Sequence, residues 1–199
     1  MLNVYLLRHG ETPWNADNNR YCGRTDLPLT EKGTQQAQAA ALMLKNLSFK
    51  AVYSSPLQRA FNTATIAANG QAVIKDDRLI EADFGNWEGK AKEQFIPENE
   101  ALWESWCKDP LQTKAGASGE TAKDVVERVD DFFNSILQQH RSGNVMVVAH
   151  NAVNRFYLAY KLGMPLQNYR KLYLDNSSIS LFQLNGEGAL TLIHLNSKI

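Results

Sequence analysis

Cysteine is scarce, neither sign of charge is in excess, and no apolar run is long; each shortage removes a class of protein. The 199 residues contain two cysteines, Cys22 and Cys107. Two unpatterned thiols are too few for a disulfide framework, and a zinc site would need clustered Cys and His ligands. They read as free thiols, and no metal site is expected. Lysine plus arginine and aspartate plus glutamate both number 21, so no global field draws the chain to nucleic acid or to an anionic membrane. An anionic ligand would have to be captured locally. No run approaches the ~18 apolar residues of a membrane span, and the first residues lack the basic-then-apolar layout of a signal peptide. The expectation is a cytoplasmic protein that engages neither nucleic acid nor membrane. Internal repeats and low-complexity tracts are also missing, and nothing in the sequence reads out an oligomeric state.

What is present is enough for one core. With 44% hydrophobic residues in 199, the chain can bury a sizeable interior, and the expectation is a single domain over residues 1–199. Residues 2–15 carry the strongest local signal. Leu2, Val4 and Leu6 alternate with Asn3 and Tyr5, and Leu7 follows, so the run reads as a short buried strand ending at Arg8-His9. In an open α/β sheet, ligands bind at that edge, and Gly10 lets backbone approach closely. A neutral imidazole can attack phosphorus, while a guanidinium holds phosphoryl oxygens with a planar, permanently charged fork. On two residues alone, a strand-end arginine and a hydrogen-bonded histidine remain the plainer reading.

Further along, Pro13 and the polar residues 15–20 read as a loop, with Asn15 either capping a turn or offering its amide to an anion. Thr30 is a plausible N-cap for a helix running from Glu31 to about Lys45. Phe49 to Tyr53 reads as a second strand, with Ser55 as N-cap and Pro56 as first residue of the next helix. Arg59 then falls in that helix's first turn, near free amides and the positive dipole end, well placed for an anion, although on these residues alone a surface arginine is the plainer reading. Val73-Ile74 opens another strand-like piece. Glu81, flanked by Leu79, Ile80 and Phe84, sits where desolvation could raise its pKa and keep a proton available, although on these residues alone an ordinary surface glutamate is the plainer reading; Asp83 and Glu88 are the alternatives. A long amphipathic helix starts around Thr121, with Val125, Val129, Phe132 and Ile136 on its apolar face, and is expected to end near Gly143. Residues 144–149 form a continuous apolar run of the kind buried on both faces of a parallel sheet, ending at His150. Residues 178–183 and 189–194 read as a hairpin across Asn185-Gly186-Glu187-Gly188.

Taken together, Arg8-His9-Gly10-Glu11-Thr12 with Trp14-Asn15, Gly23 to Gly33, Ser54-Ser55-Pro56-Leu57-Gln58-Arg59-Ala60, Leu79-Ile80-Glu81 with Gly85-Asn86-Trp87-Glu88-Gly89, and Ala149-His150-Asn151 resemble, in order and over nearly the whole chain, the histidine phosphatase superfamily, which includes the phosphoglycerate mutases. The short interval from Glu81 to His150 resembles its phosphatase branch, typified by alpha-ribazole phosphatase and broad-specificity phosphatases. The pattern of elements and the resemblance together predict a three-layer α/β/α sandwich with a mostly parallel central sheet, phosphoglycerate mutase-like.

The resemblance implies a phosphomonoesterase of a small phosphorylated metabolite that works through a phosphohistidine, without metal or cofactor. His9 would be the nucleophile and Glu81 the proton donor, with Arg8, Arg59 and His150 stabilising the transferring oxygens. Asn15, Cys22, Gly23 and Asn151 would join Arg8, Arg59 and His150 in binding substrate. Residues 85–120 would cover the pocket as a specificity lid. One departure stands out: relatives commonly follow the second histidine with two glycines, whereas this chain has Asn151-Ala152. Asn tolerates unusual backbone angles, so its amide remains available to phosphate. The alternatives are mutase-type transfer to a second hydroxyl and a catalytically weak phospholigand-binding domain.

Overall fold

The computed structural model describes residues 1–198 and has one six-stranded sheet. In chain order its strands are β1 (Leu2–Arg8), β2 (Ala51–Ser54), β3 (Val73–Lys75), β4 (Gly143–Ala149), β5 (Ile179–Leu184) and β6 (Leu190–Ser197). They lie in the order β3-β2-β4-β1-β5-β6. The first four in that row are parallel, while β5 runs antiparallel to β1 and β6 antiparallel to β5. The expected mostly parallel α/β sheet is present, with the hairpin through residues 185–188 at one edge.

Helices cover both faces because the central strands are apolar on both. Successive side chains of a strand point to opposite faces, and β1 and β4 divide accordingly. Leu7, Met146 and Val148 pack with Val52 against Ala40 and Leu44 of α2 (Glu31–Leu44) and Ala60 and Ala64 of α3 (Gln58–Ala67). Leu2, Val4, Leu6, Val145 and Val147 pack on the other side against Val125, Val129 and Phe132 of α6 (Ala122–Gln139) and Phe156 of α7 (Asn151–Lys161). The helix after β1 thus lies on one face and the helix after β4 on the other. Between neighbouring parallel strands, that divergence opens a crevice beyond their carboxyl ends, where ligands of such sheets bind.

Three boundaries differ from the sequence expectation. The helix expected to start at Pro56 begins at Gln58, with Leu57 at the N-cap; the Gln58 N–H donates to Asp26 Oδ1 at 2.7 Å, while the Ser55 hydroxyl meets both His150 Nε2 and the Leu57 N–H. The segment expected as loop after Pro13 contains a helical turn, α1 (Pro13–Ala16), capped reciprocally by Thr12 and Asn15. Helix α6 stops at Gln139, before Gly143, where the His140 ring meets the Tyr53 hydroxyl at 2.9 Å. Thr30 caps α2 as expected, accepting from the Gly33 N–H at 2.9 Å.

The remaining helices, α4 (Lys92–Glu98) and α5 (Glu100–Lys108), carry the aromatic residues of the expected lid. Their rings are mostly core. Trp87 stacks on Phe95 at 4.9 Å, and Trp103 and Trp106 meet the Trp87 ring edge-on at 5.6 and 5.7 Å. Among the described residues, no helix is long and apolar enough to cross a membrane.

Candidate active site

Register brings the two histidines together. Arg8 at the end of β1 pairs with Ala149 at the end of β4, so His9 and His150 leave adjacent strands side by side, with ring centroids 5.1 Å apart. The turn after β1 is tightly held. A Cβ on Gly10 would lie 2.4 Å from the Gly33 carbonyl oxygen, so this close approach of loop to helix requires glycine. The Gly10 N–H donates to the Thr63 hydroxyl at 3.0 Å. Ser177, in the left-handed region at φ 55°, donates its N–H to both the Arg8 and His9 carbonyls, and the Asn176 amide donates to the His9 carbonyl at 3.1 Å. Strained backbone persists where its surroundings over-determine it; here it fixes the Arg8-His9 corner.

The hydrogen bonds define the ring states. His9 Nδ1 lies 2.7 Å from the Gly10 carbonyl oxygen, an acceptor only, so Nδ1 carries the proton and the Nε2 lone pair is free. Burial, then Arg59 and Arg8, lowers the His9 pKa well below its ordinary value. The ring is therefore neutral at physiological pH, the form of an imidazole that can act as a nucleophile. His150 has the opposite tautomer: Nδ1 accepts from Arg59 Nε at 3.2 Å, leaving Nε2 to donate to the Ser55 hydroxyl at 2.7 Å. Burial and then Arg59 lower its pKa well below the ordinary value too.

Two buried neutral histidines make stability depend on pH. The unfolded chain binds protons at both as pH falls through about 6.5, while the folded chain does not. Their contribution is thus complete above that value and is lost toward acid, at about 1.4 kcal/mol per pH unit for each ring. Urea unfolding is expected to show a lower midpoint at pH 5.5 than at 7.5, with a shallower decline in His9→Ala; equal midpoints would contradict it.

Glu81 is 3% exposed and faces the N-terminus of α7. Its carboxylate accepts from the N–H groups of Ala82 at 3.0 Å, Ala152 at 3.2 Å and Val153 at 3.1 Å. Those amides favour the charged form, but burial outweighs them and raises the pKa. Asp83 and Glu88, the alternative acids, are committed elsewhere: Asp83 accepts from Gly85 N–H, and Glu88 from the N–H groups of Gly23 and Thr25. Neither lines the cavity.

The crevice is a cavity of about 240 Å³ lined by Arg8, His9, Asn15, Cys22, Glu81 and Asn151 among others. Arg8 donates Nη1 to the Leu174 carbonyl at 2.7 Å, while its Nε is buried without a partner. Burial, then Arg155, lowers its pKa to about 10, so it stays cationic at neutral pH. The Asn15 oxygen accepts from Thr12 N–H and from the Asn176 amide. The Cys22 thiol is pushed up to about 11 by burial, which makes it a wall residue and a poor nucleophile. Asn151 is the first residue of α7 and has no positive φ. The expectation that it exploits unusual backbone angles is corrected: position 151 is ordinary helix.

Arg59, His150 and Gly23 stand behind the cavity lining. Arg59 is fully buried, with Nη1 donating to Thr25 O at 2.8 Å and Nη2 to Gly23 O at 2.7 Å. Its charge acts on the site through His9 and His150. Sequence reasoning passed over Ser55, which fixes the His150 ring, and Tyr21, Lys92, Tyr169 and Arg170, which line the cavity. The pairs Lys90/Lys92 and Tyr169-Arg170 have no spacing that distinguishes them from surface residues. Among the described residues, no group of three His, Cys, Asp or Glu side chains is placed to hold a metal ion.

Comparison with known proteins identifies the family. Residues 4–197 match the model of the histidine phosphatase superfamily, branch 1. Phosphoserine phosphatase 1 of Hydrogenobacter thermophilus is 32% identical over 186 residues, covering 92% of this chain and 87% of that protein. Phosphoserine phosphatase from Entamoeba histolytica, solved with 3-phosphoglyceric acid, superposes with a TM-score of 0.90 at 28% identity, over 100% of this chain and 98% of that one. The alpha-ribazole phosphatase of Shigella flexneri superposes with a TM-score of 0.85 at 30% identity, over 98% and 96%.

Proposed function

From the premise that this chain belongs to the histidine phosphatase superfamily, branch 1, we propose that it is a phosphatase of small phosphorylated metabolites working through a phosphohistidine at His9. The observation that carries the reading is the His9 ring itself: neutral, buried, with Nδ1–H tied to the Gly10 carbonyl and Nε2 free beside Arg8. Its Nε2 attacks phosphorus in line, and the bond from phosphorus to the ester oxygen breaks. Glu81, whose pKa is raised by burial, delivers a proton to the departing oxygen. Water then attacks the phosphohistidine, Glu81 takes a proton back, and phosphate leaves with His9 regenerated.

Charge placement does most of the work in phosphoryl transfer. Arg8, with its unpartnered Nε, binds the transferring oxygens directly. Asn15 and the N-terminus of α7 at Asn151 add dipoles, as helix N-termini do for anions. Arg59 and His150 supply field from behind, while Cys22 and Gly23 shape the wall. The cavity is smaller than the ~300–1,000 Å³ of sites that bury drug-sized ligands, which suits a small metabolite. A single domain over residues 1–199, with 85–120 covering the pocket, and a cytoplasmic location belong to the same reading.

Transfer to a second hydroxyl is not favoured, since phosphatases are prominent among the similar proteins. A purely binding role is disfavoured by two histidines and an acid with tuned ionisation. The test is phosphate release from p-nitrophenyl phosphate and a panel of metabolite esters, with and without chelator. Release unchanged by chelator is the expected result. Loss with chelator, or no release from any ester, would count against this reading.

A further inference from the structure

Glu11 belongs to the string from Arg8 to Thr12, yet it takes no part in the chemistry above. It lines a second cavity, of about 400 Å³, that shares no lining residue with the crevice. That volume falls within the ~300–1,000 Å³ of small-ligand sites. Charge in it is balanced in pairs: Lys32 Nζ lies 2.8 Å from Glu11 Oε2, and Lys198 Nζ lies 2.6 Å from Asp175 Oδ2. In each pair the lysine is the exposed partner and the carboxylate the sheltered one. Ion pairs with an exposed lysine contribute little, so either ammonium can swing to a ligand at small cost. Ser177 is buried, and its Oγ has no hydrogen-bond partner among the described residues, a rarity in folded chains. Ala39, Ala40 and Met43 give the cavity an apolar wall.

Residues of this cavity also hold the catalytic corner. Asp175, Asn176 and Ser177 line it, and the same segment grips the end of β1. Arg8 Nη1 donates to the Leu174 carbonyl at 2.7 Å, the Asn176 amide donates to the His9 carbonyl at 3.1 Å, and the Ser177 N–H donates to the Arg8 and His9 carbonyls. From α2, Gln36 lines the cavity and its Oε1 accepts from the Glu11 N–H at 2.9 Å. A molecule seated here therefore touches the groups that fix the backbone of residues 8–11. Binding that displaces or tightens those groups is felt at His9, because two sites joined by shared contacts are coupled in both directions.

We propose that this second cavity is a regulatory site that binds a small apolar α-amino acid as its zwitterion and acts through the Arg8-His9 corner. The ammonium pairs with the sheltered carboxylates of Glu11 and Asp175, and the carboxylate takes the ammonium groups of Lys32 and Lys198. The Ser177 hydroxyl gains a partner, and the aliphatic side chain covers Ala39, Ala40 and Met43. A ligand carrying one sign of charge alone leaves two of the four charged groups uncompensated, which complementary potentials disfavour. Binding is independent of the phosphatase reading above; the effect on turnover rests on it.

Calorimetry on the wild type with L-alanine, L-valine, L-leucine and L-methionine provides the test, with leucinol and isocaproate as analogues of leucine that lack the carboxylate or the ammonium. At least one amino acid should bind, and leucine should bind about 10-fold or more tightly than either analogue, the scale of one charge-assisted hydrogen bond. Ala39→Trp, which fills the cavity from α2, should abolish binding while phosphate release persists, and the double variant Lys32→Gln/Lys198→Gln should weaken it several-fold. A saturating amino acid should change the affinity for inorganic phosphate about fivefold, and phosphate should change amino-acid affinity by the same factor. No binding of any amino acid, equal binding of the analogues, binding that survives both variants, or a phosphate affinity indifferent to the amino acid would overturn the site. If the wild type hydrolyses no ester, the phosphatase reading falls, and the two titrations still decide the site.

Discussion

His9→Ala is expected to lower phosphate release by a factor on the order of 10⁴ to 10⁶, comparable to removing a nucleophile from other covalent catalysts. No neighbouring group can substitute. His150, the other ring at 5.1 Å, has both nitrogens engaged, Nδ1 by Arg59 and Nε2 by Ser55. The Cys22 thiol is pushed up to about 11 and carries almost no thiolate at neutral pH. Rapid acid quench is not suited to this intermediate, because phosphohistidine is acid-labile; quenching into base after mixing with ester should trap labelled phosphate on the wild type and none on the variant. Residual turnover above about 1% of wild type, or undiminished labelling, would place the nucleophile elsewhere. A thermal melt close to wild type at pH 7.5 would show that the alanine enzyme is folded.

The parts of this site that were legible in the sequence are those a single strand or helix carries. β1 and β4 announce themselves as apolar runs that stop at His9 and His150, and the parallel register does the rest by setting Arg8 opposite Ala149. Glu81 was legible through the family resemblance, since its apolar flanks alone left a surface glutamate open; it is 3% exposed. The start of α3 was misread because Ser55-Pro56 is a good local start signal, while the contacts made there are tertiary: the Gln58 N–H to Asp26 and the Ser55 hydroxyl to His150. Lys92 and Arg170 were illegible as cavity residues for a related reason. Lys92 falls in the stretch expected to cover the pocket, but nothing local singles it out, and Arg170 lies in a segment with no assigned role; what holds both is the Trp103 ring they share, a contact between elements that no local periodicity records. Residues 85–120, which the resemblance implies as a lid, place their aromatic rings largely in the core, and Lys92 of the same stretch lines the cavity.

Glu81→Gln is expected to cost about 10²- to 10⁴-fold in kcat on alkyl phosphate esters, the range of a positioned proton donor, and to do so in a way that separates its two roles. An alkoxide needs a proton to leave, whereas p-nitrophenolate does not. With p-nitrophenyl phosphate the variant should therefore release a burst of nitrophenol equal to the enzyme and then turn over slowly, because no base remains to activate water against the phosphohistidine. The pH profile gives the sign. As donor, Glu81 must be protonated, and burial raises its pKa above the ordinary carboxylate value; activity on alkyl esters is present below that raised value and falls as pH climbs through it. His9 must be neutral, and its pKa lies well below 6.5, so the acid limb lies under that value. The substrate's second phosphate ionisation, near about 6, affects both enzymes alike. The limb that disappears in Glu81→Gln thus belongs to the carboxyl. The glutamine retains one oxygen for the amides of Ala82, Ala152 and Val153 that the carboxylate now satisfies, so a matched melt separates lost chemistry from a loosened α7. A variant with equal losses on both esters, no burst and an unchanged alkaline limb would assign proton transfer to another group.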